Sequence, residues 1–108
     1  MIISTGMNSI ESVKKLVTFL KFKRSEFALM HTTNLYPTPN KLVRLNSITE
    51  LRNKFTNTVI GLSDHTETNH SSLGAVALGA CIIEKHFVDN KKRKGPDIKS
   101  SIDEKGMK

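Results

Sequence analysis

Four short apolar runs, each ending abruptly in a polar cluster, alternate with stretches of helical periodicity, and that alternation restricts the fold of this chain more than any other feature. The runs open at Ile2, Phe27, Val59 and Cys81, and they end in "STGM", "TTNLYPTP", "SDHT" and "EKHF". Counted from Ser4 to Asn34, to Ser63 and to Glu84, the clusters are 30, 29 and 21 residues apart. Strands alternating with helices at about this period imply a parallel sheet covered by helices, an α/β fold. In such sheets ligands gather beyond the carboxyl ends of the strands, and every one of these polar clusters falls there.

The intervening segments carry helix signals. Asn8 and Glu11 stand three apart, the spacing of a capping box, and Ile10, Val13, Leu16, Val17 and Leu20 follow on one helical face. Ser47 and Glu50 repeat the spacing, with Ile48, Leu51 and Phe55 as the next face. The small residues of "SSLGAVALGA" let a third helix approach a sheet closely, with Gly79 as its stop. The two prolines of "YPTP" halt the second strand, and "SIDEKGMK" reads as the opening of a fourth helix. At 108 residues the chain forms one domain, long enough to bury about two thirds of its unfolded surface.

Composition narrows the function classes. The formal charge is +7, yet its densest run, Lys91–Lys94, lies between a strand and "GPD" and reads as a solvated basic loop. With one tyrosine and no tryptophan there is no aromatic platform for nucleic acid. No segment has the length of a membrane span. The single cysteine, Cys81, sits in an apolar run and reads as a small core residue; the absence of any intrachain disulfide suits a reducing, cytoplasmic setting.

The chemistry-bearing residues come in pairs. Ser63 and His65 are two apart, as are Glu84 and His86, and in extended chain such residues share a face. Each of two strand ends therefore presents an oxygen beside an imidazole. A pair of imidazoles at equivalent strand ends suits a divalent ion used as a Lewis acid, although their spacing of 21 residues matches no local zinc motif. Asn34 and Tyr36 form a third such pair, fit to hydrogen-bond a ligand or, more plainly, to cap a turn and pack on Pro37. Ser4, Thr5 and Gly6 lead straight into a helix N-terminus, either an anion site or an ordinary capping turn. His31 reads as core and His70 as exposed.

"ISTGMNSIE", "HTTNLYPTP", "GLSDHT", "AVALGA", "IEKHF" and "KGPDI" together resemble, in this order, the signature segments of the sialic acid (nonulosonate) synthase family. That resemblance implies a (βα)8 barrel of which residues 1–108 are the last four βα units, a C-terminal half without the first four strands or the family's small antifreeze-like domain. It implies metal-dependent condensation of phosphoenolpyruvate with an N-acetylated hexosamine to a nine-carbon sugar acid. By the same resemblance His65 and His86 hold the ion, Mn2+ or Mg2+, and act through it. Ser4 and Ser63 match positions that hold phosphoenolpyruvate, Asn34, Tyr36 and Asp97 match positions that hold the amino sugar, and Glu84 matches an active-site acid.

A half-barrel raises questions of activity and assembly. The family's upstream acid and lysine contributors have no counterpart here, so the chain alone is expected to be inactive. The alternative is a non-catalytic half-barrel that serves as an interaction or anion- or metal-binding module. Two free sheet edges and an open inner wall, with "VIGL" and "CIIE" facing water, predict a homodimer or a union with a missing N-terminal half.

Overall fold

The structure, a computed structural model, describes residues 1–108. Its elements run β1 (Ile2–Ser4), α1 (Ile10–Phe22), β2 (Ala28–Thr32), a 3-10 turn (Asn40–Leu42), α2 (Asn46–Lys54), β3 (Val59–Asp64), α3 (His70–Ala77), β4 (Ile82–Lys85) and α4 (Glu104–Met107). The four strands form one parallel sheet in the order β1-β2-β3-β4, each strand beside its predecessor in the sequence. Consequently β1 and β4 are both edges, and all four C-terminal ends point the same way.

Alternation along the strands divides the sheet into two faces. Leu29, Ile60 and Leu62 point to the helices and join Val13, Val17, Ile48, Leu51, Phe55, Ala75 and Ala80 in one buried cluster. At about 25 cal/mol per Å2 of apolar surface removed from water, this cluster is the main source of cohesion. The opposite face carries Met30, Gly61 and Ile82 in lateral register. Gly61 is required there: a Cβ would stand 2.5 Å from the Met30 sulfur and 2.6 Å from the Ile82 carbonyl oxygen. The expected stop at Gly79 is observed, with φ of +91°, a conformation that costs glycine little.

Several local expectations need correction. The N-cap of α1 is Ser9, whose hydroxyl accepts from the Ser12 amide at 3.2 Å. Asn8 donates its side-chain amide to the Gly6 carbonyl at 2.8 Å, closing the turn one residue earlier. Four residues (Thr5–Asn8) and this cap separate Ser4 from the helix, so the serine loop does not open directly onto a helix N-terminus. Ser47 lies inside α2, which has no side-chain cap. Leu16 is exposed, so the buried face of α1 narrows to Val13, Val17 and Leu20. Cys81 is exposed rather than core: it precedes the short edge strand β4, with β3 bonded to its amide on one side and no strand on the other. The inner wall, opposite the helices, is also less open than expected: Met30 and Gly61 are buried and Ile82 is half-buried, while Val59 remains exposed.

Candidate active site

The C-terminal ends of β3 and β4 bring one oxygen and one imidazole each to a common point. Ser63 pairs laterally with Glu84 in the parallel ladder, and the Ser63 hydroxyl donates to the Glu84 carboxylate at 2.6 Å. His65, one residue past β3, places Nε2 3.3 Å from the same hydroxyl oxygen. The His65 and His86 ring centroids are 5.4 Å apart, edge to face. Tyr36 descends from the loop after β2 and lays its ring 4.0 Å from that of His65 and 5.6 Å from that of His86. Ser63 and His65 are buried, whereas Glu84 and Tyr36 face outward.

The hydrogen bonds fix the hydrogen on one ring nitrogen. His65 Nδ1 lies 2.9 Å from the Thr33 carbonyl oxygen, which only accepts, so Nδ1 carries the hydrogen. In the neutral ring Nε2 is then a bare lone pair. The single Ser63 proton goes to Glu84 when that carboxyl is ionised, leaving oxygen and nitrogen lone pairs facing each other without a proton between them. That arrangement suits a cation beside Nε2, and a carbonyl behind Nδ1 is the usual way an imidazole is oriented toward a metal. The donor set therefore fits a divalent ion in part. No group of three or more His, Cys, Asp and Glu is placed to hold a metal ion together anywhere in the chain, so further ligands must come from water, substrate or another segment.

Other residues singled out in the sequence stand apart from this cluster. Ser4 lies two strands over, at the end of β1, where its hydroxyl donates to that of Thr32 on the intervening β2 at 2.8 Å; Thr32 in turn pairs laterally with Ser63. Asn34 and Tyr36 diverge, because the segment after Thr32 is no longer a strand and the two-residue alternation lapses. The Asn34 amide packs against Gly6, where any side chain would collide with it, and borders a cavity of about 490 Å3 together with Thr33, Arg44 and Glu50. Asp97 lies on the loop between β4 and α4; its carbonyl accepts from the Ser100 amide at 3.1 Å and the Ser101 hydroxyl at 2.7 Å, and its carboxylate bonds to nothing. His31 is buried as expected, Nε2 lying 2.6 Å from the Val43 carbonyl, and His70 is exposed.

Two charged residues not singled out in the sequence lie directly behind the site. Asp64 and Lys85 pair laterally on the helix-facing side, 3.2 Å apart, with side chains almost wholly buried. Burial pushes the Asp64 carboxyl up, but hydrogen bonds from the Ser72 hydroxyl and the Thr66 amide, with the Lys85 charge, outweigh it and leave the pKa below 3.8. The missed signal was alternation itself: a residue between Ser63 and His65 must face the helices, where a lone charge needs a partner.

Comparison with known proteins matches the whole chain, residues 1–108, to a family described as the NeuB family. The chain is 41% identical over 110 residues to the N,N'-diacetyllegionaminic acid synthase of Campylobacter jejuni, covering 99% of this chain and 33% of that protein. It is 38% identical to the N-acetylneuraminate-9-phosphate synthase of Drosophila melanogaster, covering 100% of this chain and 29% of that one. The crystal structure of an N-acetylneuraminic acid (sialic acid) synthetase from Leptospira borgpetersenii in complex with citrate superposes with a TM-score of 0.93 at 35% identity, over 98% of this chain and 37% of that chain. The chain thus spans about a third of the length of the relatives it matches.

Proposed function

The chain belongs to the NeuB family, and on that premise we propose that it supplies the metal-holding side of a nonulosonic acid synthase, one that condenses phosphoenolpyruvate with an N-acetylated hexosamine. The observation that carries this reading is the convergence of Tyr36, Ser63, His65, Glu84 and His86 at one end of the sheet. The four βα units form one side of a (βα)8 barrel, and the free edges of β1 and β4 are where the remaining strands join. A sequential parallel sheet with all its polar residues at one end supports this.

In this scheme the methylene carbon of phosphoenolpyruvate attacks the aldehyde of the open-chain sugar, water adds at the pyruvyl C2, and phosphate leaves by C–O cleavage. His65 and His86 hold a Mn2+ or Mg2+ ion, which when bound supplies Lewis-acid polarisation of the carbonyl oxygen. Thr33 fixes the His65 tautomer, and the Tyr36 ring walls the imidazole pair on its loop side. Glu84 holds the Ser63 proton away from His65 and presents its second carboxylate oxygen for a sugar hydroxyl. Ser4 and Ser63 lie along the sheet end for the anionic groups of phosphoenolpyruvate, each hydroxyl turning its proton from Thr32 or Glu84 to the anion when it binds, and Asn34, Tyr36 and Asp97 contact the amino sugar once the barrel is complete.

The test is a chimera in which this chain replaces the matching third of the Campylobacter jejuni relative, assayed by phosphate release from phosphoenolpyruvate with an N-acetylated hexosamine. The chimera is expected to turn over, and His65→Ala is expected to abolish it, while the chain alone stays silent. A folded but inactive chimera would leave the binding-module alternative standing. Turnover near 1 per second by the isolated chain, within the ordinary range of roughly 1–1000 per second, would refute the division of labour.

A further inference from the structure

Asp64 and Lys85 occupy a place that simple packing would give to apolar residues. They follow Leu62 and Ile83 on the helix-facing side of β3 and β4, and their side chains are 0% and 5% exposed. A buried ion pair is poor evidence of net stability, since well-packed apolar residues often serve as well. What an apolar pair cannot do is bind main chain. Asp64 accepts the Thr66 amide at 2.8 Å and the Ser72 hydroxyl at 2.6 Å, and Lys85 donates to the Thr66 carbonyl at 2.7 Å. Both polar groups of the residue after His65 are therefore tied to this pair. The His65 carbonyl is tied as well, accepting the Thr38 amide at 2.9 Å.

The pair also specifies register. Asp64 lies opposite Lys85, so the next residues, His65 and His86, leave the sheet side by side toward the other face. A slip of one residue would turn His86 to the helix side and bury an unpaired charge, which makes the correct pairing self-selecting. We propose that Asp64 and Lys85 are positioning residues, a buried cross-strand clamp that holds the His65 backbone and the β3–β4 register so that both imidazoles present to one point. The meaning of that point as an ion site rests on the function proposed above; the clamp itself does not.

The experiment compares the full chain with Asp64→Val/Lys85→Met, which keeps the bulk and removes the bonds, and with Lys85→Arg, which keeps the charge. The first readout is the nitrogen-15 shifts of the imidazole rings, which report tautomer in any assembly state. Wild type is expected to show His65 with hydrogen fixed on Nδ1. The double variant is expected to show mixed tautomers in a protein that still folds, with a lower melting temperature because the Thr66 amide and carbonyl lose their partners, and Lys85→Arg to restore the fixed form. The second readout is calorimetry with Mn2+ alone on the chimera described above, in which the double variant is expected to bind at least tenfold more weakly than its wild-type counterpart. If the double variant does not fold, Ser72→Ala, which only loosens Asp64, should shift the tautomer signal in the same direction by less. An unchanged His65 tautomer in a folded double variant, or in Ser72→Ala where that variant stands in, overturns the clamp. Failure of the wild-type chimera, whose barrel is complete, to bind Mn2+ overturns the ion reading instead, and the tautomer comparison still decides the clamp.

Discussion

His65 takes its tautomer from one carbonyl, that of Thr33, and its place from the two charges behind it. The first half of the arrangement was legible in the sequence, because Ser63 and His65 lie two apart on a strand and period-two alternation holds there. The same rule misplaced Asn34, since it was applied beyond Thr32 where the strand has ended. Alternation also hid Asp64 and Lys85: within "SDHT" and "EKHF" they look like more of one polar cluster, although they point to the opposite face. Their linkage has a testable sign. A carboxyl whose folded pKa lies below 3.8 adds stability that is complete above the ordinary range and is lost as pH falls through the folded value. Urea midpoints between about pH 5 and pH 2 should therefore fall in wild type, and Asp64→Asn should flatten part of that fall while lowering the neutral-pH midpoint. An unaltered acid slope in Asp64→Asn would count against the burial and bonding described for this carboxyl.

At the scale of elements, the order of strands and helices was read correctly because apolar periodicity switches cleanly between two and 3.6 along the chain. Ends were read less well. "MNSIE" contains two polar residues able to cap, and the spacing to Glu11 favoured Asn8; the turn through Gly6 consumes Asn8 and leaves the cap to Ser9. Local bonding decided this, and the sequence pattern cannot count hydrogen bonds. A helix N-terminus loses about 1 kcal/mol when a serine cap is replaced by alanine, whereas an exposed turn residue off the cap changes stability by about 0.5 kcal/mol or less. Ser9→Ala is thus expected to lower the unfolding free energy by about 1 kcal/mol, and Asn8→Ala by about half of that at most. A larger loss from Asn8→Ala than from Ser9→Ala, measured by chemical denaturation, would return the cap to Asn8.

For the whole molecule, surface area tells most about assembly. The chain exposes 7374 Å2, about a fifth more than the roughly 6000 Å2 of a typical folded monomer of its mass. Its radius of gyration is 14.6 Å, against about 13 Å for a compact domain of this length. The excess has a location. Leu73 and Val76 of α3, with Ile83, Phe87 and Met107, line a hollow of about 390 Å3 beside the β4 edge, and all five are exposed. Phe19 and Phe22 form a second exposed apolar area on α1. Patches of this kind beside an unpaired strand edge drive association, and a stable interface needs about 800 Å2 per partner, which the excess can supply. Purified chain is therefore expected to run as a dimer or larger species, and Leu73→Lys with Phe87→Glu to shift it toward smaller ones. These apolar areas lie on the helix side and at the edge of β4, and the sequence had pointed instead to the inner wall, where Met30 over Gly61 keeps the surface closed. Light scattering after size exclusion decides the matter: a sharp peak at the 12.1 kDa chain mass with cooperative unfolding would show that the sheet tolerates both its open edges.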